Sequence, residues 1–122
     1  MNILLVDDQP EVREAVRMLL EFDEHAVTEA GGGREALELL AARSFDLVMT
    51  DYAMPGMKGD ELAATIKQRN PSQLILMVTG SVDRAAASKY AVDGYLGKPF
   101  TMDDLRQAVA EVKSPAGHSL AA

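Results

Sequence analysis

The chain has 122 residues, with 12 Lys plus Arg against 19 acids for a net charge of −7, and no cysteine. That length suits a single domain able to bury roughly two thirds of its unfolded surface without disulfide or metal. The missing cysteine excludes disulfides, thiolate metal sites and cysteine nucleophiles, and the acid surplus argues against binding nucleic acid through phosphate neutralisation.

Nothing approaches the ~20 apolar residues of a membrane span. The apolar run near the start, at 3–6, is followed by acids rather than by a cleavage site, so no signal peptide is read. The expectation is a protein of the cytoplasm with no membrane contact, which an absence of cysteine suits.

In chain order, the run "ILLV" at 3–6 reads as a strand buried on both faces, and it closes on two adjacent acids, Asp7 and Asp8. A helix follows, with Val12, Val16, Leu19 and Leu20 at i, i+4, i+7 and i+8. Asp8 is its expected cap, with Pro10 in the first turn and Glu11 three places after the cap. A weak run at 26–27 suggests a second strand, and Ala36, Leu37 and Leu40 make a second helical stripe. The "GGG" at 31–33 lacks the spacing of a nucleotide fingerprint and reads as a flexible turn.

"FDLVMTD" is a third strand closing on Asp51, and the turn-rich "MPGMKG" at 54–59 reads as support for whatever Asp51 does. Leu62, Ala63 and Ile66 mark a third helix, and "LILMVTG" a fourth strand closing on Thr79. A fourth helical pattern at 82–92 offers only Val82, Tyr90 and Val92 as large apolar side chains, so it is expected to be short and weakly held. "GYLGKPF" is a fifth strand closing on Lys98. Leu105, Ala108, Val109 and Val112 form a fifth helix, with Thr101 as cap and Asp104 at the capping-box position. The tail "SPAGHSLAA" is small and polar. The expected organisation is therefore a domain at 1–113 and a flexible tail at 114–122. His25 and His118 stand isolated and are read as surface residues.

Five strands alternating with five helices predict an α/β fold, a doubly wound (βα)5 parallel sheet. In such sheets ligands bind outside the carboxyl ends of the strands. Asp7, Asp8, Asp51, Thr79 and Lys98 all fall at that edge. Three carboxylates gathered there raise one another's pKa unless a counter-charge intervenes, and a hard divalent cation such as Mg²⁺ resolves the conflict. A carboxylate beside Mg²⁺, a lysine and a hydroxyl is equipped for phosphoryl transfer. Asp51, alone at its strand end, is the best candidate nucleophile, with Asp7 and Asp8 serving the metal.

The ordered motifs "ILLVDDQP", "DLVMTDYAMPGMKG", "LILMVTG" and "GYLGKPF" resemble those of a response-regulator receiver domain, over residues 2 to about 113. The resemblance implies a flavodoxin-like sheet of order 2-1-3-4-5. It implies Asp51 as phosphoacceptor, Asp8 as direct and Asp7 as water-mediated metal ligand, and the Ala53 carbonyl as a third protein ligand. It gives Thr79 the switching hydroxyl, Tyr95 the aromatic that follows it, Lys98 the phosphate-binding role, and a cis bond before Pro99. Phosphate would come from a histidine kinase or a histidine phosphotransfer protein and be lost by hydrolysis. The downstream protein partner is unspecified, and the expected state is a monomer or a weak phosphorylation-dependent dimer. Two departures fall on the face the family uses for output: Gly97 stands before the lysine where a larger residue is usual, and the stretch from Thr79 to Lys98 is about three residues short.

Simpler readings exist for each motif. Asp7 and Asp8 could be a cap and a solvated neighbour, Lys98-Pro99 an ordinary turn, and Tyr95 a packing residue. A different function class, a metal-dependent aspartyl phosphohydrolase, would place a second acid two residues after the nucleophile, where this chain has Ala53. The Met1 start and short tail lead to the expectation of a stand-alone protein rather than a piece of a larger regulator.

Overall fold

The four aliphatics Ile3, Leu4, Leu5 and Val6 are all buried, as a strand covered by helices on both faces demands. They belong to β1 (Asn2–Val6), which the computed structural model follows with α1 (Pro10–Phe22), β2 (Ala26–Ala30), α2 (Gly33–Ala42), β3 (Leu47–Asp51), α3 (Gly59–Arg69), β4 (Leu74–Thr79), β5 (Gly94–Gly97) and α4 (Met102–Lys113). The structure describes residues 1–80 and 92–113. The weak helical pattern expected at 82–92 thus lies outside the described residues except for Val92, and so do the tail at 114–122 and His118.

The five strands are parallel, in the order β2-β1-β3-β4-β5. Side chains alternate between the two faces. Leu4, Val6, Val48, Ile75 and Met77 face α2 and α3, where Ala36, Leu62, Ala63 and Ile66 meet them. Ile3, Leu5, Leu47, Met49, Leu76 and Val78 face α1 and α4, where Val16, Leu20, Leu105, Val109 and Val112 cover them. No described helix is long and apolar enough to cross a membrane.

Three local expectations need correction. The N-cap of α1 is Gln9, not Asp8, with Pro10 as its first residue and no side-chain capping bond. It is Asp7 whose carboxylate accepts from the Gln9 N–H at 2.9 Å; Asp8 stands instead with the other strand-end acids. Only Val16 and Leu20 of the α1 stripe are buried, Val12 being 37 % exposed. His25 is half-buried rather than on the surface. The Ala26 N–H donates to the Met1 carbonyl at 2.9 Å, which brings the Met1 amino nitrogen within 3.2 Å of His25 Nδ1. At α4 the expected capping box forms: the Thr101 N–H donates to Asp104 Oδ2 at 2.9 Å and the Asp104 N–H to Thr101 Oγ1 at 3.1 Å.

The loop between β3 and α3 holds Asp51 in place from behind. It turns through Gly56 at φ +79°, a conformation glycine adopts at little cost. It closes where the Gly59 N–H donates to the Tyr52 carbonyl at 2.8 Å. A side chain at Gly59 would strike the Asp51 carbonyl oxygen, and would lie 2.8 Å from both Met77 Sδ and the Tyr52 Cα. Gly59→Ala should therefore destabilise the fold by about 1–3 kcal/mol, as overpacking does, despite the helix preference for alanine. Urea unfolding at matched m-value is the check.

Candidate functional site at the strand ends

Strand register decides which polar side chains meet. Val6 lies opposite Thr50, so Asp7 and Asp51 leave adjacent strands at one level. Thr79 lies opposite Gly97, so Lys98 leaves β5 just beyond. Asp7 continues the alternation of Ile3 and Leu5, Asp51 that of Leu47 and Met49, and Lys98 follows Leu96. All three continue the same face.

The outcome is a compact charged group. One oxygen each from Asp7, Asp8 and Asp51 lie within 4.8 Å of one another. Lys98 Nζ donates to Asp51 Oδ2 at 3.0 Å. The lysine is aimed by its own backbone, whose N–H donates to the Thr79 carbonyl at 2.8 Å, and the Lys98–Pro99 bond is cis. Asp51 is 7 % and Asp7 6 % exposed, whereas Asp8 is half-exposed.

Burial pushes the Asp51 carboxyl above its ordinary range, and the negative charge of Asp7 adds to that; the Lys98 hydrogen bond and charge oppose it without cancelling it. The charged form of Asp51 is thus disfavoured by its surroundings, with Lys98 and the Tyr52 backbone N–H as its compensation. An all-oxygen donor set of three crowded carboxylates, two of them buried, fits a hard divalent cation.

Thr79 closes the neighbouring strand, one residue beyond Val78, which lies opposite Asp51. Its position continues the alternation of Ile75 and Met77. Its Oγ1 is buried and has no hydrogen-bond partner among the described residues, an arrangement native structures rarely tolerate without a purpose. Tyr95 is half-buried against the same cluster as Met77. Ala53 is exposed in the loop two residues after Asp51.

The sequence reading assigned no role to Arg13, whose Nη1 donates to the Asp7 carbonyl at 2.8 Å. Its partners are a backbone atom and a residue of β2, so no local spacing marks it. The cavity of about 300 Å³ between α2 and α3, lined by Leu37, Phe45, Ile66 and Gln73 among others, lies by the strands' amino ends, away from these groups.

A family model described as the response regulator receiver domain matches residues 3–110. The chain belongs to that family. It is 39 % identical over 92 % of its length to the sensor histidine kinase AruS of Pseudomonas aeruginosa, of which it spans only 12 %. It is 35 % identical over its full length to the positive alginate biosynthesis regulatory protein of that organism, spanning 51 % of it. To the chemotaxis protein CheY of the same organism it is 34 % identical, covering 92 % of this chain and 95 % of CheY. Among solved structures, the response regulator TrrA of Thermotoga maritima, determined with Mg²⁺ and beryllofluoride, superposes with a TM-score of 0.85. It is 34 % identical, covering 91 % of this chain and 97 % of that one.

The chain is accordingly a receiver domain of a two-component system, a signalling module of the kind that receives phosphate from histidine kinases. The phosphohydrolase alternative finds no support: Ala53 occupies the place its second acid would need.

The raised Asp51 pKa has a consequence for stability. A carboxyl that binds its proton more tightly folded than unfolded makes stability fall as pH rises from the unfolded value, 3.8, through the folded one, and the deficit persists above. In metal-free solution Asp51→Asn should therefore be more stable than wild type at pH 7, and the difference should vanish as pH falls below about 3.8. Chemical unfolding in EDTA across that range measures it.

Proposed function

We propose that Asp51 is the phosphoacceptor and that Asp7, Asp8, Asp51 and the Ala53 carbonyl hold Mg²⁺ beside it. The observation that carries this reading is the convergence of three carboxylates within 4.8 Å on a buried Asp51 that also bears Lys98 at 3.0 Å. Mg²⁺, when bound, neutralises charge on the phosphoryl oxygens and on the crowded carboxylates.

The remaining work falls to the chain. An ionised Asp51 oxygen attacks phosphorus of a phosphohistidine on a histidine kinase or a histidine phosphotransfer protein. An O–P bond forms as the P–N bond breaks, and its electron pair leaves with the imidazole, yielding an acyl phosphate on Asp51. Lys98, no longer needed to hold a bare carboxylate, transfers its Nζ donation to a phosphoryl oxygen. Thr79, whose hydroxyl lacks a partner among the described residues, turns to donate to another, and Tyr95 follows into the space vacated. Hydrolysis of the acyl phosphate resets the domain, so the protein acts on itself rather than on a substrate.

We read residues 1–113 as the receiver domain, a cytoplasmic monomer or a weak dimer formed on phosphorylation. Its output is contact with a protein partner or onward phosphate relay, without direct nucleic-acid contact, in keeping with the net charge of −7. Incubated with acetyl phosphate and Mg²⁺, the protein should gain a phosphate-sized mass that is absent in EDTA and absent in Asp51→Ala. Intact-mass spectrometry reads this directly, and an adduct that survives Asp51→Ala contradicts the assignment.

A further inference from the structure

Asp7 and Asp8 are joined by one peptide unit, and its plane decides how their two side chains are set relative to each other, because a peptide is rigid and only the flanking dihedrals turn. Both sides of Asp7 are tied down. Its N–H donates to the Ala30 carbonyl of β2 at 3.1 Å. Its carbonyl, which belongs to the Asp7–Asp8 peptide itself, accepts from Arg13 Nη1 at 2.8 Å.

Arg13 in turn is aimed by Glu29 of β2, whose Oε1 accepts from Arg13 Nε at 2.9 Å. Glu29 Oε2 lies 3.2 Å from Arg17 Nε. The guanidinium is therefore gripped at one edge by a carboxylate and presents the other edge to the peptide. Arginine's planar fork suits such a bridge, which a lysine point charge cannot reproduce. Glu29 also offsets the positive charge that Arg13 would otherwise bring toward a cation site.

We propose that Arg13 and Glu29 are a positioning pair that holds the Asp7–Asp8 peptide plane so that both carboxylates face one divalent cation. Neither residue touches the cation; Arg13 acts through the backbone of Asp7 and Glu29 through Arg13. The proposal rests on the reading that the acid cluster binds Mg²⁺.

Titration calorimetry with Mg²⁺ on the intact chain tests it, with thermal unfolding in EDTA to separate simple structural cost. Outer partners of metal ligands typically contribute about 10–100-fold to affinity. Arg13→Gln should weaken Mg²⁺ binding by about tenfold. Arg17→Gln, which removes the other guanidinium on Glu29 but no bond to the Asp7 carbonyl, should stay within about twofold of wild type. In amide NMR spectra without metal, Arg13→Gln should shift the Asp8 N–H and Arg17→Gln should not. Equal affinity of wild type and Arg13→Gln overturns the proposal, as does an equal loss in both arginine variants. Should Arg13→Gln prove too unstable to measure, Glu29→Gln, which frees Arg13 from its aim, is expected to weaken binding severalfold, and unchanged affinity there overturns it too. Absence of Mg²⁺ binding in the wild type overturns the underlying reading along with it, whereas binding that is insensitive to Arg13 overturns this proposal alone.

Discussion

Three carboxylates held at one edge of a buried sheet are a constraint to which much of this molecule answers. Asp7, Asp8 and Asp51 present oxygens within 4.8 Å of one another, and two of the three residues are nearly inaccessible to water. Bringing such charges together out of water costs free energy, so the sheet behind them must be strong enough to hold the arrangement. The continuous aliphatic runs of β1, β3 and β4 supply that strength, each buried on both faces. Stability made in the core is thereby spent at the rim.

The same constraint explains why only part of the polar set is satisfied. Lys98 offsets one negative charge through its bond to Asp51, and Arg13 fixes the Asp7 backbone without meeting its carboxylate. Thr79 has a buried hydroxyl without a partner among the described residues. Excess negative charge and a buried hydroxyl without a partner among the described residues thus both lie at the carboxyl end of the sheet. The relative TrrA was crystallised with Mg²⁺ and beryllofluoride.

Much of this was legible in the sequence because burial on two faces writes continuous apolar runs, and the residue that closes each run is easy to find. Asp51 and Thr79 end β3 and β4 as read in that way and Lys98 follows β5 directly, whereas Ala53 and Tyr95 were singled out by the family resemblance. What stayed hidden depended on three-dimensional detail. Adjacent aspartates look alike in sequence, so the cap was assigned to Asp8, whereas Asp7 bonds the Gln9 N–H and Asp8 joins the acids. Val12 fits the helical stripe by spacing but lies near the open end of the sheet, where less of the core reaches it. Arg13 has partners 6 and 16 residues away, one of them a backbone carbonyl, a pairing no periodicity records.

The most direct test of the account is the dependence of folding stability on Mg²⁺ at pH 7, measured by urea unfolding of wild type and of a variant carrying both Asp7→Asn and Asp8→Asn. A cation that binds only the folded cluster raises stability by about 1.4 kcal/mol per tenfold increase once its concentration exceeds the dissociation constant. The account predicts that rise in wild type, its loss in the double variant, and a double variant more stable than wild type when Mg²⁺ is removed. A wild-type stability indifferent to Mg²⁺, or a metal-free double variant less stable than wild type, would contradict it.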